Sequence, residues 1–451
     1  MGMTFHDARH LLSRTGFGGT PAEIHSLALH DRQSAVEQIL TTIRTAPVTA
    51  PPSWIDTPPP PLHHRRAMTA EEKNVFRRER HHQGQDLKAW WFKEMVVTSS
   101  PLTERLTLFW HNHFTSSLKK VKWPPLLYRQ NLLFRRMGMG SFRDLLFAVA
   151  KDPAMILYLD TQTNRKSRPN ENFARELFEL FTLGEGHYTE QDIKEAARAF
   201  TAWKIDRRNG TFRIAHRQED TGLKTVLGQT GRFTGDDILT LALRQPSAAP
   251  YLVTKFWREF ISDEPVPDEV HRLAGIFRDS GYQITPLLRA LLTSPHFWAP
   301  ENRGVLIKSP VDLIVGTTRL FALPISTTRL LPRLSRQLGQ DVFDPPNVKG
   351  WPGGTQWITT TTLLDRWQVL QRALRGHGMH GHRMNGHRHD RNRQGTRSVM
   401  GDQAPSWIQD SSLDDLQATL LAFPPVQPIP DEEDRGTIVR HLALDPTYQL
   451  K

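Results

Sequence analysis

Helix-start signals recur along this chain, and they constrain its fold more than any other feature. Thr20 reads as an N-cap with Pro21 at the first helical position, and Ser100-Pro101 repeats the arrangement with Glu104 in the first turn. Thr189-Glu-Gln-Asp192 is a capping-box variant that predicts a helix running to about Trp203. Helical periodicity covers 69–91, 126–136, 141–150, 250–261, 266–280, 285–292, 309–323 and 413–421, and Leu102, Leu106, Phe109 and Trp110 mark the apolar face of the helix after Pro101. Only between Thr211 and Gly228 does the pattern shorten to extended pieces, around Glu219-Asp-Thr-Gly222, which predicts a β-hairpin. The expected class is mainly α, a multi-helix globular bundle with one small β-hairpin near residues 211–228.

The chain has 451 residues, enough for a large core. A main helical domain is expected over 1–375, carrying a Pro-rich loop at 46–62 that ends in His63-His64-Arg65-Arg66. A Gly/His/Arg-rich insert over 376–400, expected to be disordered, separates it from a C-terminal helical segment, 401–451, that packs back on the main domain. The insert holds His377, His380, His382, His387 and His389, a tract of the kind that binds copper, nickel or zinc loosely.

No apolar run approaches the roughly 20 residues that span a bilayer, so no membrane span is expected. The first dozen residues lack a signal-peptide pattern, which reads as cytoplasmic residence or export with a partner. Cysteine is absent, so disulfides, thiolate metal sites and cysteine nucleophiles are excluded and any metal needs His, Asp or Glu. The net charge is +11, but Gln371 to Arg397 holds seven arginines against one aspartate and supplies +6 of it, which weakens a general nucleic-acid reading.

The densest chemistry lies in Pro169-Asn-Glu-Asn-Phe-Ala-Arg-Glu-Leu-Phe-Glu-Leu-Phe-Thr-Leu-Gly184. Asn170 reads as its N-cap and Gly184 as its left-handed terminator. Phe173, Leu177, Leu180 and Phe181 line one side, and Asn172, Glu176, Glu179 and Leu183 form an adjoining stripe. Glu171 and Arg175 form an i, i+4 pair.

Trp110-His-Asn-His-Phe114 is the second cluster. His113 extends the Leu102–Leu106–Phe109 stripe inward, while His111 lies about 200° away on a helix, so one ion takes both only if the helix loosens. Imidazole with glutamate suits zinc, iron or manganese, and equally general acid–base catalysis. The candidate metal set is His111, His113, Glu176 and Glu179, and the candidate catalytic set is His113, Glu176, Glu179 and Arg175. His113 would also serve as a hydrogen-bonded core residue, and Glu176 and Glu179 as a structural network with Arg175, Arg198 or Lys194.

Asp344-Pro-Pro-Asn-Val-Lys-Gly-Trp-Pro-Gly-Gly354 is a loop, and it offers Asn347, Lys349 and Trp351 to a substrate together with Asn172. It also reads as a rigid plug around Trp351. No phosphate-binding Gly-x-x-x-x-Gly-Lys-Ser/Thr, no Gly-x-Ser-x-Gly and no His-Glu-x-x-His occurs.

Leu12-Ser-Arg-Thr-Gly-Phe-Gly18, Trp110-His-Asn-His-Phe114, Asn170-Glu-Asn-Phe-Ala-Arg-Glu-Leu-Phe-Glu-Leu180, Tyr188-Thr-Glu-Gln-Asp192, Ile307-Lys-Ser-Pro310 and Pro346-Asn-Val-Lys-Gly-Trp-Pro-Gly-Gly354 occur in one order. In that order the chain resembles bacterial domain-of-unknown-function family 1800 over nearly its whole length, to Leu444-Asp-Pro-Thr-Tyr-Gln-Leu-Lys451. The resemblance implies a largely helical, often exported protein, frequently encoded beside a partner that carries an export signal and resembles phosphatases or sulfatases. The chain departs in lacking an export signal and in having Glu219-Asp220 where the family often has His-Asp.

Three functions follow as expectations. The first is a metal-assisted enzyme with a His/Glu site acting on a polymer or conjugate, in which Arg175 and Lys349 orient anionic groups. The second is a non-catalytic partner or chaperone of the secreted phosphatase- or sulfatase-like protein. Nucleic-acid binding through the basic insert is the third.

Overall fold

Thr4 with Asp7, Thr20 with Glu23, Thr69 with Glu72, Thr189 with Asp192, Thr234 with Asp237, and Ser309 with Asp312 each close a reciprocal capping box at a helix start. Short side chains thereby satisfy backbone donors that the first helical turn leaves unpaired. The computed structural model describes residues 2–57, 67–206, 208–324, 328–375, 405–429 and 434–451. The insert at 376–400, His63 to Arg66 and the end of the Pro-rich loop lie outside the described residues.

The fold is mainly α-helical, and its β content is two small antiparallel ribbons among the described residues. Trp203–Asp206 pairs with Thr211–Ile214, and Lys224–Val226 pairs with Gln229–Gly231. The second ribbon turns through Leu227 (φ 50°) and Gly228 (φ 77°), the positive pair that a tight two-residue hairpin needs. Glu219-Asp-Thr-Gly222 is therefore the link between ribbons rather than a hairpin turn. Asp220 holds it by accepting from Arg198 Nε at 2.8 Å. The helix begun at Thr189 ends at Ala199, short of Trp203, because Ala202 (φ 72°) turns the chain into the first strand.

Helix Pro101–His113 is the axis of the core. Every residue from Leu102 to His111 is buried, the charged ones included, so the helix has no solvent face. Its charges are paired inside. Arg135 clasps Glu104 through Nη2–Oε2 at 2.5 Å, and Trp91 Nε1 adds a bond of 3.0 Å. Arg105 pairs with Asp312 and, at 3.2 Å, with Glu259, and Lys451 Nζ reaches Asp312 at 2.7 Å. Ser100 does not cap this helix; its hydroxyl meets Thr103 Oγ1 at 2.8 Å and accepts from Arg44 N at 3.1 Å.

Helix Pro124–Met137 packs along it, Trp91 of helix Ala70–Val97 and Phe256 of helix Ala248–Phe260 reach it, and one continuous apolar core runs from Met3 to Tyr448. Helix Leu413–Leu420 packs on Phe5–Thr15, and Arg435–Leu444 on Thr360–Arg375. Among the described residues no helix is long and apolar enough to cross a membrane.

Candidate functional site

The helix that begins at Asn172 changes character after Glu176: residues Leu177–Thr182 form a π-helix. Glu171 rather than Asn170 stands at its N-cap position, although Asn170 Oδ1 accepts from Asn172 N at 3.0 Å, and Gly184 (φ 81°) ends it. The wider turn shifts the inward face, so Phe178 and Leu183 are buried while Leu180 is only partly so. It also leaves three successive carbonyls to outside donors. Tyr251 Oη donates to Glu179 O (3.2 Å) and Leu180 O (2.8 Å), Lys255 Nζ to Leu180 O (3.0 Å), and His113 Nε2 lies 3.2 Å from Phe181 O.

His113 thus has its Nε2 hydrogen on Phe181 O, and its Nδ1 accepts from Lys255 Nζ at 3.1 Å. Burial, then the Lys255 charge, holds this imidazole well below its ordinary value, so it is neutral. Lys255 is itself pushed down to about 7 by burial and then by Arg258. His113 and Lys255 border a cavity of about 410 Å3 between helices Pro101–His113 and Ala248–Phe260 and the 344–354 loop.

That loop is held at both ends. Lys88, buried on the 70–97 helix, bridges Asp341 (2.6 Å) and Asp344 (2.9 Å). Further on, Asn112 Oδ1 accepts from Trp351 N at 2.7 Å and its Nδ2 faces Trp351 O at 3.4 Å. Gly350 (φ 83°) lies so close that a Cβ there would sit 2.1 Å from Asn112 Oδ1. The fixed loop presents Lys349 at the cavity rim, where Nζ meets Glu179 Oε1 at 3.3 Å and Glu185 Oε1 at 3.4 Å. Glu176, half-buried, is pushed up to about 6 by burial and by the neighbouring Glu179 carboxylate.

The structure brings together His113, Glu179, Lys349 and Trp351 around this cavity and its rim, with Glu176 beside Glu179. It does not bring in His111. That ring is buried against Trp91, Phe343 and Trp351, and its Nε2 accepts from Phe343 N at 3.1 Å. The set His111, His113, Glu176, Glu179 does not converge: His113 spends both nitrogens on Phe181 and Lys255, and Glu179 faces Lys349. Among the described residues no group of three or more His, Asp or Glu side chains is placed to hold a metal ion.

Arg175 turns away and grips Glu190 through two bonds of 2.7 and 2.8 Å, with Glu171 at 3.3 Å. Asn172 is exposed, and Asn347 shapes the loop by accepting from Lys349 N at 2.9 Å. Sequence reasoning missed Lys255, Tyr251 and Asn112. Asn112 stood between the two histidines that drew attention. Lys255 carries no local signal, because its partners are 142 and 75 residues away in the chain.

The fold and cavity define a mainly α-helical protein with a lysine–histidine pair lodged against a π-helix. The chain matches the family described as "Protein of unknown function (DUF1800)" over residues 10–450, and it belongs to that family. No curated protein and no solved structure matches it.

Proposed function

We infer that the protein is an enzyme in which the Lys255 amine acts as a base on a substrate seated in the 410 Å3 cavity, with Lys349 drawing in an anionic group of that substrate. The observation that carries this reading is the Lys255–His113 contact inside the cavity. Both polar neighbours of Nζ, Leu180 O and His113 Nδ1, accept hydrogen bonds. A neutral amine has two hydrogens to give them and keeps a lone pair for a proton. Burial brings its value to about 7, where a base is most effective at neutral pH. Glu179 steadies Lys349, and Glu176 beside it is a carboxyl group that gains or loses a proton near pH 6.

The test is competitive labelling of amines with acetic anhydride at trace level across pH 6 to 11, with residues mapped by mass spectrometry. Lys255 is expected to reach half its limiting reactivity near pH 7. An apparent value in the ordinary lysine range, near 10.5, would overturn the reading.

A second reading has an observation of its own. Tyr251, Lys255 and His113 all close carbonyls of the π-helix, which is what a structural clamp in a non-catalytic partner of a secreted protein would require. In that case Lys255→Met lowers stability by about 1–3 kcal/mol.

A further inference from the structure

A second cavity, about 440 Å3, lies behind the first, between helix Phe5–Thr15 with the glycine turn after it, helix Pro310–Leu320 and the residues around Tyr448. Arg105, Asp312 and Lys451 form part of the lining of both cavities. Five cationic side chains border the second one, Arg9, Arg105, Lys308, Arg319 and Lys451, against two carboxylates, Glu23 and Asp312. Asp312 is already taken by Arg105 and Lys451, and Glu23 closes the capping box at Thr20.

Among the described residues the remaining cations form no ion pair with a carboxylate. Arg9 donates to the carbonyls of Thr419 (3.1 Å) and Leu420 (3.4 Å), and Arg319 to those of Val96 (2.9 Å) and Thr98 (3.0 Å). Lys308 has not even a carbonyl among the described residues; its Nζ sits 3.8 Å above the ring of Tyr448. Burial holds that amine well below its ordinary range, with the Arg9 charge adding to the effect and the Asp312 carboxylate opposing it. Charging an amine in this setting beside Arg9 costs several kcal/mol without a counter-charge, and an anion from outside would supply one. The apolar part of the wall includes Phe17, Val96, Leu313, Leu323 and Leu420.

We propose that this cavity binds a small amphiphilic anion, with a carboxylate or phosphate head on Lys308 and Arg9 and an apolar body against the leucine-rich wall. The hydroxyl pair of Tyr448 and Thr317, 3.0 Å apart, lies beside the head. The site is separate from the Lys255 cavity, and the proposal stands whether or not Lys255 is a base.

Isothermal titration of the full-length protein with octanoate, octyl phosphate, octanol and inorganic phosphate tests it. Binding of octanoate or octyl phosphate at one site per chain is expected, with octanol and inorganic phosphate at least tenfold weaker. Whichever of the two binds names the head group. Lys308→Met keeps the length and apolarity of the stem while removing the charge, so it folds with stability equal to or above that of the parent chain. It should weaken the anion by about tenfold or more, the size of a lost charged hydrogen bond. Unchanged anion affinity in Lys308→Met, equal affinity for octanol, or no binding of either amphiphile would overturn the proposal.

Discussion

Two positions apart on one helix, His111 and His113 meet different neighbours because an α-helix turns about 200° over that step. His111 faces the 343–351 segment and has an ordinary role for a core imidazole, accepting one backbone hydrogen bond. Burial, then Lys88, lowers it from 6.5 to about 3. The folded form therefore binds fewer protons than the unfolded chain between those values. The stability it contributes is complete above pH 6.5 and is lost as pH falls toward 3. Asp152, raised by burial to about 7, runs the other way: its contribution is present at low pH and is lost as pH rises through 7. The comparison that isolates His111 is between parent and His111→Gln, which retains an acceptor for Phe343 N. We expect a cost of about 1–3 kcal/mol at pH 7 that shrinks as pH is lowered from 6.5 to 4.5, read from urea midpoints. A difference that grows over that range would contradict a neutral His111.

At the scale of elements, the loop and the π-helix decide the site. Asn112 ties Trp351 down through its backbone, and Gly350 supplies the close approach. Asn112→Ala leaves a buried N–H unmet and is expected to cost about 1–3 kcal/mol. Gly350→Ala combines a strained φ with a clash and is expected to cost at least as much, roughly 2 kcal/mol or more. Both should speed proteolytic cleavage within 344–354 before global unfolding, and an unchanged cleavage rate would show that the loop stands without these contacts. Most of the helices were legible in the sequence, because capping and apolar periodicity are local. The π-helix was not. Its six residues read as ordinary helix, and what stabilises the wider turn is Tyr251, Lys255 and His113, all distant in sequence. Of the β structure only the 211–228 stretch was legible, as a single hairpin; Trp203–Asp206, the partner of Thr211–Ile214, lay outside it, where a helix was expected to run to about Trp203.

At the scale of the whole molecule, buried ion pairs join parts of the chain that are far apart. Asp312 holds Arg105 of the central helix and Lys451 at once, and Arg105 also reaches Glu259. These two cations keep the Asp312 carboxyl well below its ordinary 3.8, so its contribution to stability is present above that value and is lost as pH falls. Asp312→Asn removes the shared counter-charge from two buried cations and is expected to cost about 3–5 kcal/mol in chemical denaturation. A loss under about 1 kcal/mol would show that water or Glu259 neutralises Arg105 instead.

The sequence by itself determined the helical class, most helix boundaries, the family and two of the motifs that border the site, because each rests on neighbours within a few residues or on the order of motifs along the chain. It pointed to His113, Glu179, Lys349 and Trp351, which the fold gathers, and to His111 and Arg175, which the fold sends elsewhere. Only the tertiary structure decided that Lys255 is the partner of His113, that Asn112 rather than a histidine anchors the loop, and that cations near residues 9, 308 and 319 share one cavity. Those facts depend on which helix faces lie against each other across hundreds of residues, and on the burial that follows, and neither is encoded in any local pattern.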